Sequence, residues 1–347
     1  MPSLRTLMAI PVALALLFAP LTTGSAASSE ATDPLLSQFV TKGRVPAAAF
    51  LDRDGDEVRY AAAGRGIARA DHFRAGSITK TFIATVVLQL AAEHRLSLSD
   101  PVERFLPGLL RGRGVDGRRI TLRALLGHTG GLADFTAVTR GAVPLTPLQA
   151  VRVSLSLPST GLGHYAYSST DYVVLGMVIR QVTGRSYATE VRRRIIAPLR
   201  LTGTSFPGAR TTLPSPHGRD YAADGSDVTD VDPRVAGAAG ELVTTLDDLD
   251  RFYAALLAGE LLPPRRLRAM LDTRATDGVY GLGIYPVTLS CGTTVWGHNG
   301  RIAGSYVRSA ASTGGRHVLT FRVNTTALAD PALEPALLTA EFCPRKG

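Results

Sequence analysis

A serine and a lysine three residues apart, Ser77 and Lys80, form the strongest chemical signal in the sequence. They open an apolar run over residues 81–96 whose periodicity predicts a helix. A spacing of three brings both side chains to one helix face. A desolvated lysine can give up its proton and then activate a serine hydroxyl, and the amino end of a helix favours developing negative charge. The pair predicts a nucleophile and its base, although Ser-x-x-Lys also occurs by chance.

Two later segments carry further groups suited to acyl transfer. Residues 165–169 read Tyr-Ala-Tyr-Ser-Ser, about 90 residues on, and residues 297–300 read Gly-His-Asn-Gly after a predicted strand. Together the three segments resemble the penicillin-recognising serine hydrolases, which include serine β-lactamases, D-alanyl-D-alanine carboxypeptidases and related esterases and peptidases. Within that family the sequence most resembles the secreted Streptomyces type of D-alanyl-D-alanine carboxypeptidase, from about residue 34 to residue 343.

The resemblance implies a role for each matching residue. Ser77 would be acylated, Lys80 would be its base, and Tyr167 would relay a proton to the leaving group. His298 stands where many relatives carry the lysine of a Lys-Thr-Gly strand. The backbone N–H groups of Ser77 and Arg301 would form the oxyanion hole, which is usually the largest electrostatic contribution to acyl transfer.

The expected substrate-binding residues include three departures from the carboxypeptidase pattern. Ser169 stands where relatives usually have the asparagine that hydrogen-bonds the substrate amide, and Asn299 replaces the usual threonine or serine beside Gly300. Tyr285 stands where the carboxypeptidase has an arginine that binds the substrate's terminal carboxylate. Arg301 is the candidate replacement for that charge, and a solvent-facing side chain is the alternative.

Other polar residues fit structural roles better. His128 is expected in a loop packed behind the site, and Glu241 in a turn where it caps a helix. The sequence has no Gly-x-Ser-x-Gly, His-Glu-x-x-His, Cys-x-x-Cys or phosphate-loop motif. It therefore predicts no metal and no cofactor.

The elements that must position these residues follow from apolar periodicity and turn residues. A helix is expected over 34–40, two strands flank a hairpin turn at Asp54 and Gly55, and helical blocks fill about 100–232. The later elements are a helix over 246–257, strands over 281–287, 293–296, 304–310 and 317–324, and a helix over 331–342. This order predicts an α/β (α+β) fold of the β-lactamase/transpeptidase type, with one antiparallel sheet from both chain ends, flanked by helices, and an inserted mainly helical lobe.

The first 26 residues predict a secretory signal. Arg5 precedes an apolar run over 7–21, and small residues then lead to a cleavage site after about Ala26. An uncleaved anchor or a core helix is the alternative, but Pro11, Pro20 and the short run argue against a spanning helix. We expect one hydrolase domain over 27–345, with a sheet lobe over about 34–75 and 235–345 and a helical lobe over about 76–234.

Charge and cysteine content limit the partners and the compartment. The net charge of +9 could suggest nucleic acid, but the arginines are spread along the chain without interleaved aromatic residues, which argues against it. In an exported chain the two cysteines, Cys291 and Cys343, are expected to form a disulfide, with two buried thiols as the alternative.

The leading hypothesis is an exported serine hydrolase that acts on D-Ala-containing cell-wall peptides as a carboxypeptidase, with β-lactams as slow acylating substrates. An esterase or β-lactamase on the same scaffold is the runner-up, favoured by the loss of the arginine at Tyr285. A penicillin-binding sensor with weak turnover is the third. The partners expected are a peptide or small-molecule substrate, with no nucleic acid, no membrane span and a monomeric, secreted protein.

Overall fold

The structure is a computed structural model that describes residues 26–343. The predicted signal segment lies outside the described residues, except for Ala26, where the first helix begins. The helices are α1 (Ala26–Thr41), α2 (Thr79–Ala92), α3 (Leu122–Leu126), α4 (Thr136–Thr139), α5 (Pro147–Ser156), α6 (Ser169–Thr183), α7 (Tyr187–Val191), α8 (Leu246–Leu257), α9 (Pro264–Met270) and α10 (Leu333–Phe342). The strands are β1 (Ala47–Asp54), β2 (Glu57–Gly64), β3 (Phe73–Arg74), β4 (Arg111–Gly112), β5 (Val115–Asp116), β6 (Val243–Thr244), β7 (Tyr285–Thr288), β8 (Thr294–Ile302), β9 (Ser305–Ser312) and β10 (His317–Val323).

One antiparallel sheet has the order β2-β1-β10-β9-β8-β7, so it combines strands from both ends of the described chain. The first hairpin turns at Gly55, whose φ of 60° suits glycine. Helices α2 to α9 lie between the two groups of strands in the sequence. The predicted mixed fold, with an antiparallel sheet and helices, is confirmed.

Both faces of the sheet are covered, and the two faces define two hydrophobic cores. The larger core packs one face against α2, α6 and α8, with Phe82 stacked on Phe252 at 3.7 Å between ring centroids. The smaller core packs the other face against α1 and α10 through residues such as Phe39 and Phe321. Side chains alternate along a strand, so neighbouring residues of β8 face different cores.

Two strand predictions were wrong in extent. Strand β8 does not end at Trp296 but continues through Gly297 and Gly300 to Ile302, because its pairing with β9 runs on past both glycines. Strand β7 begins only at Tyr285, because Gly283 adopts a φ of 78° and packs against α2, where an added Cβ would lie 2.5 Å from the Ala84 Cβ. No helix within residues 26–343 is both long and apolar enough to cross a bilayer.

Candidate active site

Ser77 and Lys80 meet at the start of α2. Ser77 lies in a short 3-10 turn, Gly76–Ile78, and the α-helix itself begins at Thr79. The Lys80 Nζ is 3.0 Å from the Ser77 Oγ and 2.9 Å from the backbone oxygen of Ala239. The spacing of three residues therefore brings the two groups into hydrogen-bond contact, although the serine precedes the α-helix.

The protonation state of Lys80 suits a base. Its side chain is fully buried, and burial lowers its pKa from 10.5 to about 7, while the carboxylates of Asp134 and Asp171 act in the opposite direction. A neutral amine is thus available near pH 7 to accept the proton of the Ser77 hydroxyl.

Tyr167 completes a group of three around the serine. Its ring centroid lies 4.8 Å from the Lys80 Nζ. Burial raises the pKa of Tyr167 well above 10, and a hydrogen bond with Ser77 only partly offsets this. The hydroxyl therefore keeps its proton at neutral pH, as a proton donor to a leaving group must.

His128 holds the segment that carries Tyr167. Its backbone oxygen accepts a hydrogen bond from Ala166, and its ring Nδ1 accepts one from the Ser168 backbone at 3.3 Å. The ring also contacts Tyr167, with centroids 4.4 Å apart, and its Nδ1 lies 2.8 Å from a carboxylate oxygen of Asp171. The expectation that His128 packs behind the site agrees with these contacts.

Strand β8 approaches the serine through glycines. A Cβ at Gly300 would lie 1.8 Å from the Ala75 backbone oxygen and 3.2 Å from the Ser77 nitrogen, so only glycine fits there. Gly76 has a φ of 50°, and a Cβ on it would lie 2.6 Å from the Arg301 nitrogen. These close approaches bring the backbone of Arg301 beside the turn that carries Ser77.

His298 lies in this strand but contacts aromatic residues. It is 1 % exposed, and its Nε2 lies 2.8 Å from the hydroxyl of Tyr280. Burial lowers the pKa of His298 to about 3, so the ring is neutral at physiological pH. The centroid of the His298 ring lies 5.3 Å from that of Tyr285 and 6.4 Å from that of Tyr167. His298 is therefore part of the aromatic wall beside Tyr167.

The side chains of Asn299 and Arg301 lie on the other side of β8. The Asn299 amide is 3.5 Å from the hydroxyl of Tyr306, and the Arg301 guanidinium lies 5.3 Å from the same ring. Tyr306 belongs to the core beneath the sheet. Arg301 therefore approaches the Ser77 turn with its backbone, while its guanidinium lies on the opposite face of the strand. Ser169 is nearly buried at the first position of α6.

Sequence reasoning missed Arg308 and Asp134. The Arg308 guanidinium is fully buried 4.4 Å from the centre of the Tyr285 ring, and its Nε lies 3.6 Å from a carboxylate oxygen of Glu334. A charged residue inside an apolar strand was the available signal. Asp134 is half-buried, and its carboxylate has the largest charge effect on Lys80; no local motif indicated it.

Two groups of residues lie outside the cleft. Cys291 and Cys343 form a disulfide with a Cα–Cα distance of 5.9 Å, which links the β7–β8 turn to the end of α10.

Asp52, His317 and Glu341 are the one cluster within residues 26–343 with metal-ligand spacing. Arg59 donates to Glu341 at 2.7 Å, so a guanidinium already lies beside these carboxylates.

Comparison with known proteins decides the family. A model of the family described as Beta-lactamase matches residues 32–337. The chain belongs to the beta-lactamase family. This family match covers most of the chain and includes every residue of the Ser77, Lys80 and Tyr167 group.

The similar structures and sequences extend this assignment. The D-stereospecific amidohydrolase from a Streptomyces species is 39 % identical with a TM-score of 0.84, over 91 % of this chain and 99 % of that one. The D-amino acid amidase from Ochrobactrum anthropi, complexed with D-phenylalanine, is 25 % identical with a TM-score of 0.81. The match covers 92 % of this chain and 100 % of the amidase chain. The putative penicillin-binding protein PbpX of Bacillus subtilis is 30 % identical over 61 % of this chain and 53 % of its own length, so the chain spans about half of that relative.

Proposed function

We propose that this beta-lactamase-family protein is an exported serine amidohydrolase that cleaves amides or esters of apolar D-amino acids with a free amino group. The observation that carries the proposal is the buried, partly neutral Lys80, whose Nζ is 3.0 Å from the Ser77 Oγ. The disulfide between Cys291 and Cys343 supports the exported location.

The reaction follows from the protonation states of three side chains. Lys80 takes the proton of the Ser77 hydroxyl as the Oγ attacks the carbonyl carbon. The backbone N–H groups of Ser77 and Arg301 stabilise the oxyanion. Tyr167 gives its proton to the leaving nitrogen or oxygen and recovers one from Lys80. A water molecule then releases the acid by the same route, which restores the Ser77 hydroxyl.

Charge in the cleft favours a substrate that carries a free amine. Asp134 supplies an anion close enough to influence both Lys80 and Tyr167. Its Oδ1 accepts a hydrogen bond from the Thr136 backbone, so the second oxygen remains for a ligand ammonium. A carboxypeptidase reaction would instead need an accessible cation for the terminal carboxylate, but the Arg301 guanidinium lies over Tyr306 and that of Arg308 is fully buried over Tyr285.

Exposed aromatic and apolar residues at the rim favour an apolar acyl side chain. Tyr165 is 37 % exposed and its ring lies 6.0 Å from that of Tyr280, while Val279, the neighbour of Tyr280, is 51 % exposed. The preference for the D configuration rests on the likeness to the Streptomyces amidohydrolase and the Ochrobactrum amidase.

The test is a comparison of kcat/KM for D-phenylalanine amide, its L enantiomer, N-acetyl-D-phenylalanine amide and a D-Ala-D-Ala peptide. We expect the free D-amide to be the best substrate, and Ser77→Ala to abolish both turnover and covalent labelling by a fluorophosphonate. Asp134→Asn should reduce the preference for the free amine over the N-acetyl compound by about tenfold to a hundredfold, the value of a charged hydrogen bond. Asp56→Asn, at an exposed turn, is the control.

Two results would contradict this proposal. A higher kcat/KM for the D-Ala-D-Ala peptide would restore the carboxypeptidase hypothesis. An unchanged preference in Asp134→Asn would show that the carboxylate does not bind the amine.

A further inference from the structure

An apolar cavity lies between α6, α7, the first turn of α5 and residues 234–241. Its volume is about 240 Å³, and its walls are mainly apolar, with Phe135, Leu145, Ala150, Val173 and Met177 among them. None of Ser77, Lys80, Tyr167 or His298 is among the described residues that line it. It is therefore separate from the catalytic cleft.

One buried carboxyl group faces this apolar cavity. Glu241 is 5 % exposed, and its Oε1 accepts a hydrogen bond of 2.5 Å from the hydroxyl of Tyr187. A buried carboxylate needs a compensating donor or cation, and a single neutral hydroxyl satisfies only part of its capacity. The predicted helix-capping role of Glu241 does not account for this position, because Thr245 is the residue that caps α8.

The other charged groups around the cavity lie at its rim. Arg180 and Arg234 both line it and are exposed. The Arg234 guanidinium is bonded to both oxygens of Asp232, which neutralises that charge. The interior therefore offers an apolar surface and one acidic group, Glu241, with Tyr187 beside it.

We propose that this cavity binds a small primary amine with an apolar body, whose ammonium group pairs with Glu241. The volume agrees with this class of ligand, since an apolar cavity of about 150 Å³ holds benzene and one of 240 Å³ leaves room for an aminoalkyl chain. The ammonium supplies the cation that the buried carboxylate lacks, and the apolar body covers the walls. Neither a carboxylic acid nor an alcohol of the same shape satisfies Glu241 as well.

The cavity is connected to the catalytic group through residues 239–242. The Ala239 oxygen is bound to the Lys80 Nζ at 2.9 Å. The Leu242 nitrogen donates to the Thr79 Oγ1 at 3.1 Å, and the Leu242 oxygen accepts from the Ala75 nitrogen at 2.8 Å. Because the same short segment carries Glu241, an occupant of the cavity alters the contacts that position Lys80 and Ser77.

The test is titration calorimetry of 2-phenylethylamine, 3-phenylpropionate and 2-phenylethanol with the whole protein. The cleft could also bind an amine through Asp134, so all titrations use the Asp134→Asn background. We expect the amine to bind at least tenfold more tightly than the acid and the alcohol. Glu241→Gln keeps the shape and should weaken amine binding at least tenfold, whereas Glu260→Gln, an exposed acid, should not.

Two further measurements locate the ligand. Ala150→Leu adds three carbon atoms to the wall and should also weaken binding. Burial raises the pKa of Glu241 to about 7, so the affinity of the amine should increase from pH 6 to pH 8 as the carboxylate forms. Arg234 keeps its charge and Tyr187 keeps its proton over this range, because a hydrogen bond to Asp232 raises the pKa of Arg234 and burial raises that of Tyr187.

The connection to the site is measured as the rate at which a fluorophosphonate labels Ser77. Saturating amine should change this rate at least twofold in the Asp134→Asn protein and leave it unchanged when Glu241→Gln is added. Equal amine affinity with and without Glu241→Gln would overturn the site, as would tighter binding of the acid. Either result leaves the proposed amidohydrolase function untouched, because that function depends on the other cleft.

Discussion

Replacing the catalytic lysine should change how stability depends on pH. The pKa of Lys80 falls from 10.5 in the unfolded chain to about 7 in the folded protein, which corresponds to about 5 kcal/mol. Below pH 7 the amine is charged in both states. Between pH 7 and 10.5 only the unfolded chain holds the proton, so the free energy of unfolding rises with pH by about 1.4 kcal/mol per pH unit. Above 10.5 this contribution is constant.

Lys80→Met removes the pH dependence of stability that comes from Lys80. The other titrating groups are present in both proteins, so their effects cancel in the difference. We therefore expect the free energy of unfolding of the wild type, minus that of the variant, to rise by about 4 kcal/mol between pH 6 and 10, most of the full change of about 5 kcal/mol. Urea unfolding of both proteins at pH 6 to 10 measures the difference. Lys42→Met, at an exposed lysine in the turn after α1, is the control for loss of a surface lysine.

A second assay reports the same group in the working enzyme. The acid limb of the profile of kcat/KM against pH gives the pKa of the base in the free enzyme. We expect that limb near pH 7. A difference in unfolding free energy that stays constant from pH 6 to 10, or an acid limb above pH 9, would show that Lys80 is charged in the folded protein.

Two more predictions concern stability. Replacing Cys291 and Cys343 by serine opens a loop of 52 residues and should lower the free energy of unfolding by about 4 kcal/mol, measured by urea unfolding; equal stability would refute a structural disulfide. Burial alone would lower the pKa of His317, but hydrogen bonds to Asp52 and Glu341 outweigh it and raise the pKa to about 9. The contribution of protonated His317 to the free energy of unfolding is thus complete below pH 6.5 and lost as the pH rises through 9. We expect the destabilisation by His317→Gln to be largest at pH 6 and to vanish near pH 10.

The general fold could be predicted from the sequence because its elements have local signals. Helix α8 was predicted with its observed bounds, 246–257, since its apolar residues repeat with a helical period. The extent of β8 was not predictable, because Gly297 and Gly300 have low strand propensity and only the pairing with β9 keeps them extended.

The sequence by itself predicted the pairing of Ser77 with Lys80, because a spacing of three residues is a local property, and it predicted the disulfide, because Cys291 and Cys343 are its two cysteines. Tertiary structure alone decided what surrounds them. The Ala239 oxygen that binds Lys80 lies 159 residues away in the chain, and Arg308 reaches Tyr285 from another strand. Burial lowers the pKa of Lys80 and raises that of Glu241. Desolvation depends on every chain segment packed around a group, so no local pattern encodes it.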